Sequence, residues 1–323
     1  MRRLCWIAVS LLLCLAGALV AADSGQNTVA RRRPSAAVSD AVTPDFKADS
    51  TVVLVNVTIT DARGRAITGL RKENFQIFEE KAEQAVRYFS AEESPVSVGL
   101  VLDFSHSMTS KFRQLQEAVA EFLGTANPAD EFCLIEFRDR AELSIGFTPA
   151  HEEIENRVAL AQPAGHTALL DAVHLGLRQM KMAHNPRKAL LVVSDGGDNH
   201  SRFSAREVEN LARESDVEIY TIGIPDRAGP SLGEFEASRG ASLLDEISEQ
   251  GGGRYYAIDN VRDLPAIAER IGRELRHQYV LGYVSTNPGR DGKYRRVQVK
   301  VLRSPGQPKP WAYWRHGYYA PGE

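Results

Sequence analysis

The 323-residue sequence predicts an α/β fold, a doubly wound and mostly parallel sheet inserted into a smaller β-sandwich-like domain. Three observations carry this expectation. Between residues 95 and 277, short runs that are apolar on both faces alternate with stretches of helical apolar spacing, the pattern of a parallel sheet covered by helices on both sides. The flanking segments 51–94 and 278–323 instead alternate apolar and polar residues with strand period. Hydrophobic residues make up 43% of the chain and charged residues 25%, so each domain can bury a full core without disulfide or metal staples.

Residues 1–22 read as a secretory signal: Arg2 and Arg3, the apolar run IAVSLLLCLAGALV, then the small residues of Val20-Ala21-Ala22. The run is short for a bilayer span of about 20 residues, so no integral span is expected once it is removed; an uncleaved anchor helix is the alternative. A lipoprotein signal fails because Leu13 precedes Cys14, where a small residue is wanted. The protein is therefore expected to be exported, to the periplasm or beyond the cell. Loss of the signal removes Cys5 and Cys14 and leaves Cys133 with no partner for a disulfide, a small buried hydrophobe in the apolar run FCLIEF. Residues 23–50 mix Ala, Ser, Asp and Pro with Arg31-Arg32-Arg33 and read as a flexible linker.

In segment 51–94, VVLVNVTIT sets Val53, Val55, Val57 and Ile59 against Asn56, Thr58 and Thr60, which is a strand. Short segments around Phe75–Phe78 and Val86–Phe89 follow the DARGR turn, and the acidic pairs Glu79-Glu80 and Glu92-Glu93 are expected to be solvated loop charge. In the middle, strands are expected at 96–104, 131–137, 141–147, 189–195, 217–224 and 254–258. Helical stripes run through Phe112, Leu115, Val119 and Phe122; through Leu169, Val173, Leu177 and Met180; and through Leu264, Ile267, Ile271 and Leu275. Gly251-Gly252-Gly253 should stop a helix before a strand rather than cradle a phosphate. In segment 278–323, YVLGYV and two glycine turns precede Val297, Val299 and Val301, which alternate with Arg296, Gln298 and Lys300; Trp311, Tyr313, Tyr318 and Tyr319 close the chain. Neither flank has enough strands to be stable by itself, so the two should share one β-domain.

The formal charge of −3 leaves no field to recruit nucleic acid or an anionic membrane surface. In a doubly wound sheet, ligands sit beyond the carboxyl ends of the strands. There the strand VGLVLD runs into Asp103, Ser105 and Ser107, which would share one face if the segment stayed extended. ALLVVSD delivers Asp195, and Gly165-His166-Thr167 places the Thr167 hydroxyl at the start of the helix TALLDAV. Oxygen ligands with few carboxylates suit a hard cation that keeps some waters, above all Mg²⁺, with Mn²⁺ or Ca²⁺ as alternatives. Each piece alone is an ordinary turn or helix cap; three on three strand ends are much more specific.

Asp103-x-Ser105-x-Ser107, Thr167 within GHTALLDAV and Asp195 within LLVVSDGGDN resemble the metal-ion-dependent adhesion site of von Willebrand factor type A domains, as do GGGRYYAI and LRHQYVLGY in their context. The resemblance covers residues 95–277. The outer segments, with VNVTITDARGRAITGLRKENFQIFEE and the aromatic tail, are similar to the secreted bacterial group labelled VWFA-related, Acidobacteria type. The resemblance implies that Ser105, Ser107 and Thr167 are direct or near-direct ligands and that Asp103 and Asp195 hold the ion largely through water. It further implies that an acidic side chain on a protein partner fills the open position. The physics agrees: with its carboxylates held back, a cation stays under-neutralised and attracts an external Asp or Glu. His106 and His166 depart from the family pattern, standing where glycine is usual and leaving the loop geometry that positive φ permits open. With His200 they give each loop a histidine, expected to be an exposed polar residue; an imidazole rim with pH-sensitive or transition-metal binding is the alternative.

The sequence thus points to an exported, non-enzymatic binding module of adhesion type. A Mg²⁺-dependent phosphatase-like hydrolase is one alternative and a structural domain with a degenerate site is another. The haloacid-dehalogenase arrangement needs a second Asp two residues after Asp103, where Ser105 stands, and no Ser-His-Asp pattern has a glycine elbow.

Overall fold

Every residue of VSVGLVLD, the strand β5 (Val96–Asp103), is buried, as a strand covered on both faces must be. The computed structural model describes residues 52–224, 233–302 and 309–322, with backbone only for 233–238. The readings of residues 1–22 as a signal and 23–50 as a linker lie outside the described residues. Before β5 come β1 (Val52–Thr60), β2 (Phe75–Glu79), β3 (Ala82–Gln84) and β4 (Tyr88–Ser90). After it come α1 (Phe112–Leu123), β6 (Glu131–Phe137), β7 (Ala141–Thr148), α2 (His151–Ala159), α3 (Leu169–Gln179), β8 (Arg187–Ser194) and α4 (Ala205–Glu214). Then follow β9 (Glu218–Gly223), α5 (Gly233–Gln250), β10 (Arg254–Ala257) and α6 (Leu264–Arg276), and finally β11 (Gln278–Val284), β12 (Tyr294–Val301), β13 (Trp311–Trp314) and β14 (Gly317–Tyr319).

The central sheet has the order β10-β9-β8-β5-β6-β7, parallel throughout except for β7, which runs antiparallel to β6. Strand alternation sends Leu100 and Leu102 to one face, where they meet Leu115, Val119 and Phe122 of α1 and Ile271 and Leu275 of α6. Val101 turns to the other face with Ile135 and Val192, under Leu169, Val173 and Leu177 of α3 and Val208 of α4. The three striped helices stand where their spacing put them. α2, α4 and α5 had no stripe broad enough to be read: α2 buries only Ile154 and Val158, and α4 only Val208 and Ala212. The start of α4 does carry a capping box between Ser204 and Glu207, the one local signal available. Cys133 is free and buried, and burial pushes its thiol up to about 12.

Two antiparallel sheets, β13-β1-β11-β4 and β14-β12-β2-β3, each mix strands from both ends of the chain. Their inner faces join Val53, Val55, Val57 and Ile59 to Phe75, Ile77, Tyr279, Leu281, Tyr283, Val297 and Val299. One expectation here is corrected. Glu80 is exposed, but Glu79 is buried, because the alternation of β2 turns it inward with Phe75 and Ile77. Its carboxylate accepts hydrogen bonds from Tyr283 Oη (2.8 Å), Tyr318 Oη (2.9 Å) and Ser285 Oγ (2.6 Å) and pairs with buried Arg295 at 3.5 Å. Those partners lie some 200 residues away in sequence, which no local pattern announces. Among the described residues no helix is long and apolar enough to cross a membrane.

Candidate functional site

Asp103 is the last residue of β5 and is fully buried. Its Oδ1 accepts from the Ser105 backbone N–H at 2.9 Å and its Oδ2 from the Ser194 hydroxyl at 2.6 Å, while Ser194 Oγ accepts in turn from Gly196 N–H at 3.1 Å. The chain does not stay extended beyond it. Ser105 (φ −70°, ψ 166°) leads into a single 3₁₀ turn, His106–Met108, anchored by the fully buried side chains of Phe104 and Met108. This turn, rather than a strand face, brings Ser105 Oγ and Ser107 Oγ to 3.0 Å. Asp103 and Ser105 are buried while Ser107 is exposed, so the group opens towards solvent.

The second loop is zipped onto the first by backbone bonds from Ala164 N–H to Phe104 O (2.8 Å) and from His106 N–H to Gly165 O (3.1 Å). The third is fastened to the second, with Asn199 N–H donating to Thr167 O (3.0 Å) and Thr167 N–H to Asn199 Oδ1 (3.0 Å). Thr167 is buried two residues ahead of α3, not at its first turn. Positive φ falls on Gly165 (+81°) and Gly196 (+84°), and neither His106 nor His166 adopts it. These two positions therefore do not need glycine. His106, His166 and His200 are all exposed, and the rings of His166 and His200 stack at 5.1 Å. Among the described residues, no three His, Cys, Asp or Glu side chains converge as a metal-binding group.

Asp195 follows β8 directly, and its Oδ2 lies 3.1 Å from Lys111 Nζ, with only 6% and 8% of the two side chains exposed. Desolvation first, and then the charge of Asp195, hold the Asp103 carboxyl above the usual carboxylate range. Behind the third loop, Asp171 of α3 accepts from Arg202 N–H (2.8 Å) and Phe203 N–H (3.1 Å) and pairs with the Arg202 guanidinium (3.1 Å). Burial alone would raise the Asp171 carboxyl, but these donors outweigh it and hold the group below its ordinary value.

The five residues singled out from sequence thus sit on three adjoining loops, as three hydroxyls and two carboxylates, a donor set of the kind that suits a hard divalent ion. Sequence reasoning missed Lys111 and Ser194. The signal for Lys111 was a cation just ahead of a helical stripe, where a helix start favours an acid; Ser194 had none beyond its place before Asp195.

Residues 98–197 match the family described as von Willebrand factor type A domain. Over this segment the chain is similar to von Willebrand factor type A domains. It contains all five residues and ends two positions after Asp195. The chain is similar in fold to the von Willebrand factor type A structure from Catenulispora acidiphila, at 14% identity, covering 86% of this chain and 75% of that one with a TM-score of 0.50. A vWF domain of a type V pili tip protein from Porphyromonas gingivalis is matched at 14% identity over 57% of this chain and 95% of that one, TM-score 0.44. An uncharacterized protein of Borreliella burgdorferi is 26% identical over 182 residues, half of this chain, which spans 53% of that relative's length.

Proposed function

We propose that this chain is an exported, non-enzymatic docking module of adhesion type. In it, Asp103, Ser105, Ser107, Thr167 and Asp195 hold a divalent cation, Mg²⁺ with Mn²⁺ or Ca²⁺ as alternatives, and a protein partner contributes an acidic side chain. The observation that carries this reading is the pair of hydroxyls 3.0 Å apart in front of a buried carboxylate whose two oxygens already accept bonds from Ser105 N–H and Ser194 O–H. Hydroxyls offer oxygen without charge, and Asp103 is held back by its own donors, so the residues themselves would leave a divalent ion under-neutralised. When bound, the ion supplies an open position for an external carboxylate. Thr167 enters from the second loop, its backbone fixed by the bonds to Asn199. Ser105 Oγ faces a second hydroxyl rather than an imidazole, which favours docking over nucleophilic chemistry. Export rests on the character of residues 1–22, and membership of the secreted Acidobacteria-type group on the two outer segments.

Calorimetric titration of Mg²⁺ and Mn²⁺ into the metal-free protein tests the ion site: the wild type should bind, and Asp103→Ala should bind at least about tenfold more weakly, a difference of about 1.4 kcal/mol. Equal binding by both removes the assignment. Affinity capture from an envelope fraction, with Mg²⁺ or with chelator, tests the docking step, and identical captured proteins in the two arms would refute it.

A further inference from the structure

We infer that Lys111 is a tethered cation that holds Asp195 when no metal is bound and competes with a divalent ion for it, setting the affinity of the site. The inference rests on the docking reading above. Lys111 stands at the start of α1, and its ammonium reaches across to the third loop, 3.1 Å from Asp195 Oδ2. Three features make this an unfavourable place for a lysine unless the charge is used. Its side chain is almost completely removed from water. It sits at the N-terminal end of a helix, where the backbone dipole repels a cation. And a long flexible side chain is held in one conformation, with loss of rotamer entropy. The helix start cannot drift to relieve this, because the next residue, Phe112, packs edge-on against Phe104 with ring centroids 5.0 Å apart, fixing α1 to the loop that carries Ser105.

Asp195 therefore faces two neighbours at once. The Lys111 ammonium offsets its charge on one side, and on the other stands Asp103, at the end of the neighbouring strand β5. A divalent ion drawing on Asp195 meets an ammonium already in place, and because the pair is buried, salt screens their repulsion little. Two consequences follow. The metal-free protein keeps Asp195 neutralised and its loops assembled, and the metal binds more weakly than its oxygen donors alone would allow.

The test uses the full chain as wild type, Lys111→Met and Lys111→Arg, with calorimetric titration of Mg²⁺ and melting in chelator. Lys111→Met should bind Mg²⁺ at least about tenfold more tightly, melt lower in chelator, and gain more from added Mg²⁺ than the wild type does. Lys111→Arg, which keeps the charge, should stay within about threefold of the wild type. If wild type and Lys111→Met bind equally, or the variant binds more weakly, this inference is wrong and the docking reading stands. If only Lys111→Met binds, the inference stands and the docking reading fails for the wild type. If neither binds, both fail. Should Lys111→Met not fold, nuclear magnetic resonance of lysine-labelled wild type decides: the Lys111 side-chain signal should shift in step with Mg²⁺ saturation, and an unmoved signal overturns the inference.

Discussion

Glu79 and Arg295 show what a buried charge does in this fold. Both side chains are almost fully covered, and the carboxylate is satisfied by two tyrosine hydroxyls and a serine besides the guanidinium. Removing Glu79 leaves buried Arg295 with the more exposed Asp291, 3.8 Å away, as counter-charge, so Glu79→Ala should destabilise the protein by about 3 kcal/mol, the low end for breaking a buried pair. Tyr283→Phe, which deletes one hydrogen bond to the same carboxylate, should lose about 1–3 kcal/mol. Denaturant unfolding measures both, and a loss for Glu79→Ala no larger than for Tyr283→Phe would mean Asp291 suffices as the counter-charge of Arg295. Asp171 gives a pH-dependent case. Its folded carboxyl lies below the unfolded value, so its stabilisation is complete above the unfolded pKa of about 3.9 and disappears as pH falls through the folded one. Asp171→Asn should therefore be less stable than the wild type by about 1–3 kcal/mol at pH 7, with the gap narrowing as pH falls below the unfolded pKa of about 3.9. A gap that is constant with pH would show that the lost packing of the third loop, not the charge, is responsible.

At the scale of elements, the site is a junction of three loops whose spacing is set by close backbone approach. Gly196 turns with φ +84° against α5, and a Cβ on Gly240 would lie 2.3 Å from the Gly196 carbonyl oxygen. Backbone cannot rotate away as a flexible side chain can. Gly240→Ala should push α5 off the third loop, destabilise the protein by about 1–3 kcal/mol, and weaken Mg²⁺ binding through displaced Asp195. Normal binding in a destabilised variant would separate helix packing from the site. The same junction explains what sequence could and could not say. Asp103, Ser105, Ser107, Thr167 and Asp195 were legible because their types are unusual at the ends of apolar strands, and strand ends are where such a sheet exposes its ligands. Their place on adjoining loops was legible, but not the path of the first loop: the 3₁₀ turn at His106–Met108 depends on burying Phe104 and Met108, a tertiary effect. Lys111 and Ser194 act through partners 84 and 91 residues away, a relation that carries no period and no motif.

The described residues form a parallel sheet from the middle of the chain and two antiparallel sheets built from both its ends, which was legible from a change of period at both flanks although Glu79, read as loop charge, proved to be core. β1 pairs with β11 through seven registered positions, from Val52 with Val284 to Thr58 with Gln278, across more than 200 residues. The parallel sheet, by contrast, takes all its strands from residues 96–257 and both its helical layers from 112–276. The two parts meet where Glu218 accepts from Asn56 Nδ2 (3.1 Å) and Gln278 Nε2 (2.5 Å), and where Arg187 donates to Gln278 Oε1 (2.5 Å). We propose domain boundaries at 94/95 and 277/278 on this ground. A fragment of residues 95–277 keeps a complete two-sided core and should unfold cooperatively and, on the docking reading proposed above, match the full chain in Mg²⁺ affinity, at lower stability because Glu218 and Arg187 lose Gln278. A fragment of residues 51–94 keeps only the short β2–β3 hairpin paired, while β1 loses β11 and β13, β4 loses β11 and β2 loses β12, so it lacks a packed hydrophobic face and should show no transition. Circular dichroism during denaturant titration of each fragment decides the matter: a cooperative transition in 51–94, or none in 95–277, would place the folding unit across the boundary and make the two parts a single domain.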